Sequence, residues 1–186
     1  EVVKDAVNDI VDGYQNINEK VKESIALAER ENQLKVKQRE FLVQEARLQV
    51  ALSEARLKTN DATLTAQERI EALNTAQSLN NQLYAEQIRQ AEEAYQIQKR
   101  KNELSESTEE DLQAEAELQA NLIKLEAERN RANKEFSDQK SALLKAEADK
   151  AKAAEDAAIK KAEEDQKKKE EEAKKEIERQ QKVNEE

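Results

Sequence analysis

The sequence predicts an all-α protein of long helices with coiled-coil packing: a helical hairpin followed by a long third helix, with no β-sheet. Three observations carry that expectation. The 186 residues include one Gly and no Pro, where average usage would supply roughly 13 and 9. Tight turns, β-bulges and phosphate-cradling glycine loops are therefore nearly excluded. Charged residues make up 40% and aromatics 3%, too few large apolar side chains for a compact globule but the composition of a long helix. Finally, apolar residues recur at seven-residue spacing through much of the chain.

The first element spans 1–26. Val3, Val7, Ile10, Tyr14, Ile17 and Val21 alternate steps of four and three, a coiled-coil seam on one face. Gly13, beside Asp12, reads as a tolerated surface glycine within it.

From 27 the pattern doubles. Leu27, Leu34, Phe41, Leu48, Ala55 and Ala62 form one series at intervals of seven; Val36, Val43, Val50, Leu57 and Leu64 form another, offset by two. An offset of two residues is a turn of about 200°, so the series lie on nearly opposite faces and ask for partners on both sides. Leu42, Ala46 and Leu52 broaden the apolar surface further, so more than two helices are expected to meet here. The region 27–103 reads as the hairpin, with its turn near 59–64. Thr59, Asn60 and Asp61 are poor helix-interior residues, and Thr65 with Glu68 fits a capping box opening the next helix. The oxygens of Asn60, Asp61, Thr63 and Glu68 do not make a calcium loop, because the glycine and most of the carboxylates are missing.

The second helix, 65–103, has a seam Ile70, Leu73, Ala76, Leu79, Leu83 that shifts by one residue to Tyr84, Ile88, Ala91, Tyr95. That shift reads as a stutter. The tyrosines read as packing residues with wet hydroxyls rather than ligand stackers. A second break, 104–108, offers Ser107 or Thr108 as cap for a third helix whose first turn holds Glu109, Glu110 and Asp111. Those carboxylates complement the helix dipole, which explains them without a metal or an acid–base pair. The region 104–146 carries the late seam Leu118, Leu122, Leu125, Arg129, Ala132, Phe136, Gln139, Leu143, Ala146. From 147 to 186 the chain degenerates to Ala, Lys and Glu, with Ile159, Ile177 and Val183 nearly alone. Pairs such as Glu164–Lys168 and Glu170–Lys174 suit a solvated helical tail. Helices are thus expected near 2–59, 65–103 and 108–184, the first two antiparallel across their short connection. The two-faced part of the first would then also meet the third helix or other copies of the chain.

Chemistry is sparse. There is no Cys and no His, hence no thiolate nucleophile, disulfide or imidazole base. No Walker loop, HExxH or nucleophile–base pair occurs, and the abundant carboxylates alternate with Lys and Arg as solvated helix faces do. No catalytic, cofactor or metal residue can be nominated. The candidate sites are instead helix-packing or oligomer-interface positions: Leu27, Leu34, Val36, Phe41, Val43, Leu48, Val50, Leu57, Leu118, Leu122, Leu125, Phe136 and Leu143, with Thr65 and Glu68 as the cap. A net charge of −10 argues against nucleic acid and against an anionic membrane surface as partner. No apolar run reaches the length of a membrane span, which is roughly 20 residues. A chain that starts at Glu1 rather than Met is expected to be a piece of a longer protein.

The segments ESIALAERENQLKVKQREFLVQEARLQ (23–49), LSEARLKTNDATLTAQERIEALN (52–74), LSESTEEDLQAEAE (104–117) and KLEAERN (124–130) follow one another along the chain. In that order they resemble the helical region of tail tape-measure proteins of tailed bacteriophages and prophages, over roughly 5–145. The resemblance implies a non-enzymatic ruler or scaffold in tail assembly. It would lie within the virion tail and be assembled in the bacterial host cytoplasm. Partners would be self-association through the helices and tail-tube or tail-assembly proteins. The alternative is a bacterial coiled-coil spacer or adaptor in the cytoplasm.

Overall fold

The computed structural model describes the backbone of residues 2–184 and the side chains of 12–175 together with Ile177 and Arg179. The seam positions Val3, Val7 and Ile10, and Val183, lie outside the described side chains. The described residues form α1 (Val2–Asn60), α2 (Ala66–Leu104) and α3 (Glu109–Asn184), with no strand. The fold is all-α. The chain divides between Asp138 and Gln139 into two units.

In the first unit α1 and α2 lie antiparallel, as the ladder of polar contacts between them shows. Arg69 Nε donates to Thr59 O (2.8 Å), Gln87 Nε2 to Glu45 Oε1 (2.7 Å) and Lys37 Nζ to Glu93 Oε2 (3.4 Å), while Lys101 pairs with Glu31 and Arg100 Nε with Glu23 Oε1 (2.5 Å). From Arg69 to the Arg100–Lys101 end of α2, the partners on α1 step back from Thr59 to Glu31 and Glu23. Between the helices sits an apolar core of Leu27, Leu34, Phe41, Leu52 and Ala55 from α1 with Leu73, Ala76, Leu83 and Ile97 from α2. The first seven-residue series of α1 is thus its inward face. Val36, Val43, Val50 and Leu57 are all exposed, and Leu42 with them.

The first connection stops α1 with side-chain competition for the backbone. The buried Thr59 hydroxyl donates to Ala55 O (3.0 Å), and Asp61 Oδ1 accepts from the amide and hydroxyl of Thr63 (2.9 and 2.7 Å). Thr65 then caps α2. Its hydroxyl oxygen accepts from the Glu68 amide (3.2 Å), and the Glu68 carboxylate accepts from the Thr65 amide (2.8 Å). At the second connection Thr108 rather than Ser107 is the cap. It exchanges the same reciprocal bonds with Asp111: the Asp111 amide to Thr108 Oγ1 at 3.2 Å and the Thr108 amide to Asp111 Oδ2 at 3.0 Å.

The first part of α3 returns along α2. Asn102 Nδ2 donates to Asp111 O (3.1 Å) and Glu115 Oε2 (2.7 Å), and further along the buried Phe136 ring lies under the Arg56 guanidinium, 5.6 Å from its centroid. α2 is thus packed against both α1 and α3, and α3 also touches α1 through Arg56 and Phe136. The α1-facing row of α2 runs Leu73, Ala76, Asn80, Leu83, Gln87, Gln90, Ala94, Ile97, Lys101 in steps of three and four. The half-buried Tyr84 faces α3, where burial and Glu128 raise its phenol's pKa, burial foremost. The expected stutter at Leu83–Tyr84 is therefore a passage from one face of α2 to the other, with no break in the α1-facing spacing.

The second unit, from Gln139, is helical to Asn184. All its described side chains from Leu144 onward are exposed, and Leu143 is half-buried.

Candidate functional site

The nominated positions fall into two groups. Leu27, Leu34, Phe41 and Phe136 are buried, and Leu48, Leu118, Leu122, Leu125 and Leu143 are half-buried. The nine include the helix-packing residues of the first unit. Thr65 and Glu68 form the cap. Val36, Val43, Val50 and Leu57 belong to neither role: they are 42, 60, 60 and 70% exposed, on the side of α1 away from the core.

That outer row is longer than four residues. Val21, Ile25, Ala28, Asn32, Val36, Arg39, Val43, Ala46, Val50, Ser53 and Leu57 continue at spacings of three and four, and each is exposed or, at most, half-buried. Alternating spacing of this kind is the geometry by which one helix meets another along a seam. Monomeric proteins scatter single apolar residues over their surface, whereas an aligned row marks an interaction surface. Arg39 stands in the row, and Glu40, Arg47 and Glu54 flank it on one side.

Electrostatics separates the two faces. On the inward side the carboxylates are engaged. Hydrogen bonds from Lys101 and then Lys35 (2.7 Å) hold the Glu31 carboxyl down to about 2. Arg100 lowers Glu23 in the same way, and Arg89 lowers Glu86. At the connections the hydroxyl and amide of Thr63 lower Asp61, those of Thr65 lower Glu68, and the amide and hydroxyl of Thr108 lower Asp111. On the outer side Arg39, Glu40, Arg47 and Glu54 form no ion pair among the described residues.

Among the described residues no group of three His, Cys, Asp or Glu could hold a metal ion, and no helix is long and apolar enough to cross a membrane. Sequence reasoning missed the buried Asn80, Gln90 and Ile97 of α2. The signal was present: these residues keep the three–four spacing of the α1-facing row, but a search for apolar residues passes over Asn80 and Gln90 and so loses the row that leads to Ile97. No family model, curated protein or solved structure matches the chain.

Proposed function

We propose that this chain is a non-enzymatic structural element of an assembly, of the kind found in phage tail tape-measure proteins, with helix length as the quantity it contributes. The observation that carries the assembly role is the outer row of α1, aligned at seam spacing and unpartnered within the described chain. The tail role comes from the ordered resemblance over roughly 5–145, and helix geometry is suited to it. A helix rises about 1.5 Å per residue, so a count of helical residues is a distance. Partners on this reading are other copies of the chain and tail-tube or tail-assembly proteins, inside the virion tail.

The test is deletion of whole heptads from 147–175 in a phage or prophage that carries the gene. Tails should shorten by about 1.5 Å for each residue removed. Tails of unchanged length would overturn the ruler. The hairpin of α1 and α2 favours a second reading, a bacterial coiled-coil spacer or adaptor, because it lays helix side by side instead of end to end. Tail-tube genes beside this one support the first reading, and their absence the second.

A further inference from the structure

We propose that the outer row of α1 is a docking surface for a second copy of this chain, paired antiparallel about a two-fold axis at the level of Gln44 and Glu45. The inference rests on the assembly reading above and adds the partner, the face and the direction.

The row is self-complementary in that arrangement. Val43 meets Ala46 of the second copy, Val36 meets Ser53, Val50 meets Arg39 and Leu57 meets Asn32, each contact occurring twice by symmetry. Large side chains face small or long, bendable ones, so the helices can approach closely. The paired stretch, 32–57, is about 39 Å long at 1.5 Å per residue.

Charge fixes the direction. Glu40 and Arg47 flank the row on the same side, seven residues or about 10.5 Å apart, too far to pair with each other. In the antiparallel pair Glu40 faces Arg47 of the second copy, twice, and Arg39 lies one turn from Glu54 of the second copy. All four groups are without an ion pair among the described residues of the single chain. Lys35 and Arg56 face each other in this pair, but each is engaged in its own chain, Lys35 with Glu31 at 2.7 Å and Arg56 over the Phe136 ring. A parallel pair would instead stack Arg39 on Arg39, a like-charge contact at the seam.

Sedimentation of the whole chain over micromolar to millimolar concentrations tests the pairing. A dimer is expected, and Val43→Asp should weaken it at least about a hundredfold because the carboxylate would be enclosed without a partner. Val50→Ser is the milder second variant, and the comparison with wild type uses whichever variant keeps full helix content by circular dichroism. Glu40→Arg should weaken association about tenfold, and adding Arg47→Glu should restore it, since the exchange preserves both antiparallel pairs. The chain has no Cys of its own. Under oxidation an Asn32→Cys chain mixed with a Leu57→Cys chain should give the mixed disulfide, and Leu57→Cys alone should not cross-link. A monomer throughout, association untouched by the Val variants, or a Leu57→Cys homodimer overturns the proposal. None of those results bears on tail length, so this pairing and the ruler fail separately.

Discussion

Asn80 Nδ2 and Asn133 Oδ1 are buried without a hydrogen-bond partner among the described residues, one a donor and the other an acceptor. Asn80 stands in the α1-facing row of α2, and Asn133 lies on α3. A buried polar group left alone costs about 1–3 kcal/mol, whereas replacing both members of a pair by apolar groups is often neutral or stabilising. Asn80→Leu with Asn133→Leu should therefore raise the thermal midpoint, and Asn80→Leu alone should raise it less. A lower midpoint for the double variant would show the amides bonded and stabilising. Glu31 makes a different residue-level contribution, and its sign follows from the direction of its shift. A carboxyl held at about 2 in the folded chain, against an ordinary 4.5, stabilises the fold above 4.5 and loses that contribution as pH falls toward 2. Thermal melts of Glu31→Gln between those pH values should show a shallower acid loss than the wild type, with the difference gone below pH 2.

At the scale of elements, the two connections use one device. Thr65 with Glu68 and Thr108 with Asp111 each satisfy an orphan amide in both directions, which stops one long helix and starts the next without Gly or Pro. Thr65→Ala should cost about 1 kcal/mol, read as a lower urea midpoint with unchanged slope. Loss of helix content confined to the start of α2 would be the accompanying amide-exchange signature. The first cap is legible in the sequence because T-x-x-E is a familiar signature. The second is only half legible, since an Asp at the third position also suits the helix dipole and Ser107 competes for the role. Helix ends are legible for the same local reasons. The face assignments are less so. Two apolar series on α1 have the pattern of a helix packed on both sides, and the outer series is exposed, whereas α2 meets both α1 and α3 without showing that pattern. Its rows carry Asn80, Gln87, Gln90 and Lys101, which hydropathy counts as surface. Polar residues at three–four spacing hide one interface, and apolar residues on the outside of α1 stay exposed among the described residues.

On the scale of the whole molecule, folding free energy is distributed unevenly along the sequence. Buried apolar side chains fall between Leu27 and Phe136, and every described side chain from Leu144 to Lys175 is exposed. Burial of apolar area is the main favourable contribution to a cooperative fold, so the segment 147–175 adds helix without adding much to the cooperative transition. Its own helicity depends on Ala, Glu and Lys propensity and on i,i+4 pairs of about 0.2–0.5 kcal/mol each, which salt screens. Ending the chain after residue 146 should therefore lower the total helical signal roughly in proportion to the residues removed, while the midpoint of the remaining transition stays within about 2 °C. In the intact chain the same segment should melt first and broadly, exchange its amides fastest, and lose helix on going from low to high salt. A midpoint several degrees lower after truncation would mean that the segment is bound to something when the chain is whole. In that case Ile159 and Ile177, large apolar side chains exposed there among the described residues, are the ones to substitute next.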